Sequence, residues 1–293
     1  MDSRAPFADS SRYPILGDGA MGTLLMSGGG TWLAPEQLNL EAPDRVVAAH
    51  AAYVEAGAEL VETNSFGGSP AKLDLVGLGE RAREVNEAAA RLARRAAGDR
   101  ALVAGSIGPT GRLLEPLGDL PEPDAETGFA LQAEALAAGG ADLIVVETMT
   151  DLAEAAAAVR GARRGADLPV VCTMSFEPNG RTVMGASLAD LLTLLDEGAM
   201  VVGINCGYGP DVVGPLLAQL RQIAPDVRLA AQPNAGSPRL DGGQTVYDVT
   251  PDQMAEFALD MKRLGLAYVG ACCGSTPAHV RAMAKALGKR DRE

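Results

Sequence analysis

Ala141-Asp142-Leu143-Ile144-Val145-Val146-Glu147-Thr148, then Asp151 to Arg164, then Gly165, is the stretch from which the fold is read. An apolar run of strand length stops on a carboxylate and a hydroxyl. An acidic residue opens an alanine-rich segment with helical spacing, and a glycine closes it. Pro169 to Ser175 then starts a second apolar run, which completes a strand-helix-strand unit. The alternation continues in both directions. Strands are expected at Pro14 to Gly17, Ala58 to Asn64, Ala101 to Ile107, Ala141 to Glu147, Pro169 to Ser175, Met200 to Cys206, Arg228 to Asn234 and Ala267 to Cys273. Their starts lie 28 to 44 residues apart, near the roughly 31 residues per unit of a ~250-residue eightfold barrel. Helices are expected between them, among them Asp151 to Arg164 and Ser187 to Glu197. Doubly wound open sheets also alternate strand and helix, but eight strands with continuously apolar interiors favour an α/β fold of the (β/α)8 TIM barrel type. Residues 1–13 read as an N-terminal tail and residues 14–293 as one barrel domain.

The composition suits that reading. With 293 residues, 47% hydrophobic and 22% charged, the chain can bury a large core. Its 25 basic against 38 acidic residues leave a net charge of −13, which disfavours nucleic acid and anionic membrane as partners. No apolar run reaches signal-peptide or membrane-span length, so a cytoplasmic, reducing location is expected. Four cysteines in such a compartment are thiols or metal ligands before they are disulfides.

In an eightfold barrel the chemistry sits where the strands end, because the βα loops converge there. Cys206, Cys272 and Cys273 all end strands and could meet above the barrel, where three thiolates would suit zinc and leave a fourth position open. Packing as small hydrophobes is the alternative for all three, since 66 residues separate Cys206 from Cys272 and no CxxC knuckle is present. A vicinal Cys272–Cys273 disulfide would be strained. Cys172, inside Val170-Val171-Cys172, reads as core. Asp18, Glu62 and Glu147 each follow a strand and could hold a substrate ammonium, act as a base, or bond loop amides. The loop Gly105-Ser106-Ile107-Gly108-Pro109-Thr110-Gly111 could cradle a carboxylate but lacks the Lys-Ser/Thr of a phosphate loop. His50 falls in a helical apolar pattern, and His279 lies in a first helical turn from which it could reach a loop. Neither a G-x-S-x-G elbow nor a dinucleotide fingerprint is present.

These strand ends carry a resemblance. Leu16-Gly17-Asp18-Gly19-Ala20-Met21-Gly22-Thr23, Glu62-Thr63-Asn64-Ser65-Phe66, Gly105-Ser106-Ile107-Gly108-Pro109-Thr110, Glu147-Thr148, Gly203-Ile204-Asn205-Cys206, Pro233-Asn234-Ala235-Gly236 and Gly270-Ala271-Cys272-Cys273-Gly274 occur in that order from about Ile15 to Met283. In them the chain resembles the zinc-dependent homocysteine S-methyltransferase family, which includes the homocysteine-binding modules of cobalamin-dependent methionine synthases. The resemblance implies a TIM barrel and zinc on Cys206, from the family's GxNC motif, and on Cys272 and Cys273, from its GGCCG motif, with Ala271 in place of a glycine. It also implies that Glu147 holds the substrate amino group, with Asp18, Gly19, Thr63 and Ser106 around the amino-acid head. The implied reaction is methyl transfer to L-homocysteine, giving methionine. The implied donors are a methylated corrinoid, free as methylcobalamin or on a separate corrinoid protein, S-methylmethionine, or betaine. Betaine fits less well: the chain is 4% aromatic and Gly67 stands where betaine-using relatives place a tyrosine, leaving Trp32 as a cage wall or a packing residue. With Glu293 as its last residue, the chain is expected to lack folate and cobalamin domains. Two other readings stay open: a homocysteine-binding module that presents the thiol to corrinoid or folate partner proteins, and methyl transfer to another thiol or a selenol.

Overall fold

A computed structural model describes residues 6–26, 32–241 and 244–289 of the chain. Elements follow in the order β1 (Ile15–Leu16), α1 (Met21–Met26), α2 (Leu38–Glu41), α3 (Pro43–Glu55), β2 (Leu60–Glu62), α4 (Pro70–Asp74), α5 (Ala82–Ala97), β3 (Leu102–Ile107), α6 (Glu122–Ala138) and β4 (Leu143–Met149). They continue with α7 (Leu152–Gly165), β5 (Val170–Met174), β6 (Val201–Asn205), α8 (Pro210–Ile223), β7 (Leu229–Gln232), the hairpin strands β8 (Arg239–Asp241) and β9 (Gln244–Val246), α9 (Pro251–Arg263), β10 (Tyr268–Val269) and α10 (Pro277–Leu287). Eight strands form one parallel sheet in the order β1-β10-β7-β6-β5-β4-β3-β2. The expected TIM barrel is the observed fold.

The seam between β1 and β2 closes by a different device from the other strand pairs. The Glu59 amide donates to Leu16 O at 2.7 Å, and the Leu16 amide donates to the Glu59 carboxylate at 3.2 Å. Higher up, the Glu62 amide donates to Asp18 Oδ2 at 3.0 Å. Two side-chain carboxylates thus accept amide protons at a seam that keeps one backbone hydrogen bond, from Glu59 to Leu16.

Inward-facing Ile15, Leu60, Leu102, Ala104, Leu143, Val145, Val171, Val201, Ala230 and Tyr268 fill the barrel as one cluster, as alternating layers require. Phe7 joins this cluster at 1% exposure, and the Tyr13 hydroxyl donates to its carbonyl at 2.7 Å. Phe7 and Tyr13, ahead of β1, therefore pack against the barrel interior. Lys289, beyond α10, pairs with Glu59 at 2.7 Å.

Two features depart from the sequence-based expectation. Ser187 to Glu197 was read as an α-helix, yet only a 3-10 helix forms, over Asp190–Leu195. Leu188, Leu191 and Leu194, all buried, recur every three residues, and the Asp190 carboxylate accepts from both the amide and hydroxyl of Ser187. A three-residue repeat behind the Ser187–Asp190 hydrogen-bonded turn fits the tighter helix. The β8–β9 hairpin and the short helices α1, α2 and α4 are additions within the βα loops.

Candidate active site and metal centre

The 66 residues between Cys206 and Cys272 are spanned in space by the end of β7, which lies between β6 and β10. The Cys206 amide donates to Gln232 O at 2.9 Å, the Cys272 amide to Pro233 O at 2.8 Å, and the Ala235 amide to Cys273 O at 2.9 Å. Local backbone then turns the thiols inward. Cys206 has φ +60°, in the left-handed region that a side chain rarely adopts, and Gly207 follows at +72°; Gly274 closes the other pair at +78°. The Sγ of Cys206 lies 3.9 Å from that of Cys273, which lies 4.0 Å from that of Cys272. All three sulfurs fall within 4.8 Å of one another.

These separations can be tested against a metal. A tetrahedral ion with ~2.3 Å bonds to sulfur sets its ligands about 3.8 Å apart, so the three thiols stand nearly at ligand spacing. Their titration argues the same way. Cys273 is pulled down to about 3 by hydrogen bonds from Cys206 and Cys272. Cys206, although lowered by its bond with Cys272, is pushed up to about 12 by its bond to Cys273 and by burial. Cys272 lies well above the thiol range because it bonds to both neighbours. The three thiols oppose one another's ionisation in this arrangement, and a divalent cation is what would favour the thiolate form of all three. The donor set therefore fits zinc. Cys172 is apart from it, buried within β5.

The thiols form one wall of a cavity of about 610 Å³ that also takes in Gly19, Glu62, Thr63, Ser106, Glu147 and Gln232. Glu147 is held hard. Its Oε1 accepts from the Ser106 hydroxyl and its Oε2 from Asn205 Nδ2 at 3.2 Å. Thr63 Oγ1 accepts from the Ser106 amide at 3.0 Å and contacts Ser65 Oγ at 2.6 Å. Asp18 is deeper and does not line the cavity: Oδ2 serves the β1–β2 seam and Oδ1 is buried without a partner. Asp18 and Glu147 sit well above the usual carboxylate range and Glu62 above it, first through burial; for Asp18 and Glu147 the charge of Glu62 comes next. Among the described residues no lysine or arginine forms an ion pair with any of the three. Uncompensated buried carboxylates call for a cationic guest.

Three contributors were not singled out from sequence. Asn205, next to Cys206, bonds Glu147 and Thr148. Tyr247 packs on Gly274, where an added Cβ would lie 2.1 Å from the ring, and its hydroxyl lowers Cys273. Gln232 bonds Glu62. His279 does reach a loop: Nε2 donates to Val249 O at 2.9 Å while Nδ1 accepts from the Thr276 amide at 3.1 Å. His50 is fully buried in α3. Trp32 packs beside Leu25 and Leu38 and does not line the cavity.

The chain is thus a parallel eightfold barrel whose C-terminal mouth carries three thiols near metal-ligand spacing and a floor of buried carboxylates. The chain belongs to the homocysteine S-methyltransferase family, which matches residues 15–287, and it is accordingly a methyltransferase. It is 35% identical over 297 aligned residues to the methionine synthase of Mycobacterium tuberculosis, covering 94% of this chain and 25% of that protein. The methionine synthase of Mycobacterium leprae is 34% identical, with 94% and 24% covered. The chain thus spans about a quarter of the length of these relatives. Among solved structures, the metallated form of the homocysteine methyltransferase MmuM from Escherichia coli superimposes with a TM-score of 0.80 at 23% identity, covering 96% of this chain and 99% of that one. Its apo form gives 0.74 at 22% identity, with 96% and 99% covered. At such identity these two establish likeness of fold.

Proposed function

We propose that the chain transfers a methyl group to the thiol of L-homocysteine, giving L-methionine, with zinc held by Cys206, Cys272 and Cys273. One observation carries this reading: a soft-metal ligand trio and unpaired buried carboxylates share one cavity. Homocysteine carries a thiol and an ammonium on one short chain, so a single molecule answers both features. Zinc bound there would supply the Lewis acidity that lowers a substrate thiol below its ordinary pKa of ~8.5, since the thiolate is the nucleophile.

The chain's own residues do the rest. Glu147, fixed by Ser106 and Asn205, takes the substrate ammonium. Gly19, Thr63 and Ser106 surround the amino-acid head, with Asp18 beneath them bracing the seam. The thiol gives up its proton to solvent at the cavity mouth, the sulfur pair forms the new S–C bond as the methyl–donor bond breaks, and that bond's electrons leave with the donor. A methylated corrinoid, as methylcobalamin or on a separate corrinoid protein, is the donor we favour, followed by S-methylmethionine; the likeness to methionine synthases supports that order. No helix of the described residues is long and apolar enough to cross a membrane, and we place the reaction in the cytoplasm.

The test is a donor panel. Zinc-loaded protein with homocysteine and methylcobalamin, a methylated corrinoid protein, S-methylmethionine or betaine is scored for methionine. Turnover with any donor supports the enzyme. Because the relatives are about four times longer, a second reading is a module that presents homocysteine to separate corrinoid or folate partners; tight homocysteine binding without turnover for any donor would establish it. Competition by other thiols and selenols fixes the acceptor.

A further inference from the structure

We propose that Glu62 is a second holder of the substrate ammonium, sharing it with Glu147 and making the cavity selective for thiols that carry an amino group. The inference rests on the function proposed above and comes from counting donors and acceptors on the cavity floor. Both oxygens of Glu147 already accept protein hydrogen bonds. Asp18 offers one free oxygen, but it is buried away from the cavity. Glu62 differs: Oε1 accepts from Gln232 Nε2 at 2.9 Å and from the Tyr268 hydroxyl at 3.0 Å, whereas Oε2 accepts from no described donor. Oε2 is also absent from the fully buried unpartnered atoms, and Glu62 lines the cavity, so this oxygen opens into it.

Gln232 supplies an independent sign. It is 1% exposed, lines the same cavity, and its Oε1 has no partner while its Nε2 is committed to Glu62. The floor therefore presents one free carboxylate oxygen, that of Glu62, while the unpartnered Gln232 Oε1 is buried on the side chain whose Nε2 holds Glu62. A carboxylate oxygen left without a donor in a largely buried site is unfavourable, so the arrangement is complete only with a donor-rich guest. An ammonium brings three N–H groups and a positive charge; a carboxylate or an aliphatic chain brings neither. Tyr268 and Gln232 both bond one oxygen of Glu62, which fixes the rotation of the carboxylate and prepares the other oxygen before substrate arrives.

Calorimetric binding to zinc-loaded protein tests this, using L-homocysteine and 4-mercaptobutanoate, which lacks only the amino group. The native chain should prefer homocysteine by about 100-fold or more. Glu62→Gln keeps the Oε1 acceptor and the side-chain shape, and should weaken homocysteine roughly 30-fold while leaving 4-mercaptobutanoate unchanged or tighter. Zinc content and melting temperature are read alongside. If Glu62→Gln does not fold, Glu62→Asp, which keeps the charge but withdraws it by one methylene, should cut the preference at least about 10-fold. A variant that folds and keeps the full native preference overturns the role of Glu62. A native chain that binds homocysteine no better than 4-mercaptobutanoate, or binds neither, overturns the proposed function itself.

Discussion

Asn205 uses every valence of its amide. Oδ1 accepts from the Thr148 amide at 2.8 Å and from Thr173 Oγ1 at 2.9 Å; Nδ2 donates to Thr148 Oγ1 at 2.7 Å and to Glu147 Oε2 at 3.2 Å. The residue it clamps, Thr148, has φ +59°, an unfavourable conformation for a β-branched side chain, and β4 bulges between Val146 and Met149. A side chain adjacent to one proposed zinc ligand thus holds the proposed ammonium acceptor two strands away. Asn205→Ala should raise the KM for homocysteine about 10- to 100-fold, the range seen for outer groups that orient a site, and lower the melting temperature, while zinc stays near one per chain. Cys206→Ala, Cys272→Ala and Cys273→Ala should each lose that zinc, with activity falling more than about 100-fold. Metal analysis beside steady-state kinetics separates the two patterns. A triple-alanine variant with full activity would end the metal reading.

At the scale of elements, His279 joins the start of α10 to the loop that follows β9. Its neutral ring accepts from the Thr276 amide and donates to Val249 O, and the Val249 amide donates on to Ala235 O at 2.9 Å. That loop carries Tyr247 against Gly274 and Cys273. His279→Ala removes a cap and a tether, so stability should fall by about 1–2 kcal/mol and proteolysis should quicken near residues 244–250; thermal melts and limited digestion would show it. The sequence foretold α10 and a reach from His279 to a loop, but not which loop. The eight barrel strands were legible because both faces of a parallel strand are buried and each run stays apolar until its mouth-facing polar end, as in Leu143 to Thr148. Their ends also located the three cysteines, Glu147 and Ser106. The 3-10 turn at Asp190–Leu195 was missed because Leu, Ala and Asp suit an α-helix by propensity, whereas the three-residue spacing of buried leucines decides. The hairpin did have a signal, Asp241-Gly242-Gly243 between Leu240 and Thr245. The place of Glu62 after a strand marks it as a candidate ammonium holder, but which of its oxygens is left free has no signal, because that depends on Gln232 and Tyr268, more than 160 residues away.

For the whole molecule, buried groups of opposite kinds set how stability depends on pH. Asp18, Glu62 and Glu147 have folded pKa values raised above 3.8, 4.5 and 4.5 by burial. Such a group keeps its proton in the folded state after the unfolded chain has released it. Its contribution is full below the unfolded value and is lost as pH rises toward the folded value. His50 is the reverse: burial lowers it from 6.5 to about 3, and both ring nitrogens lack partners. The unfolded chain protonates this histidine below 6.5 and the folded chain does not, so stability is lost as pH falls from 6.5 toward 3. Between about 4.5 and 6.5 the two slopes oppose one another, each limited to about 1.4 kcal/mol per pH unit per proton. Three carboxylates outweigh one histidine, so in metal-free, substrate-free protein the melting temperature should fall as pH rises across that interval. His50→Leu should remove the one opposing slope and steepen that decline. Glu62→Gln should make the decline shallower and place the curve above the native one at pH 8, because a buried charge has been removed. A Glu62→Gln protein less stable than native at pH 8 yet equal to it at pH 4 would show that Glu62 is stabilised as an anion by the fold, against the sign argued here.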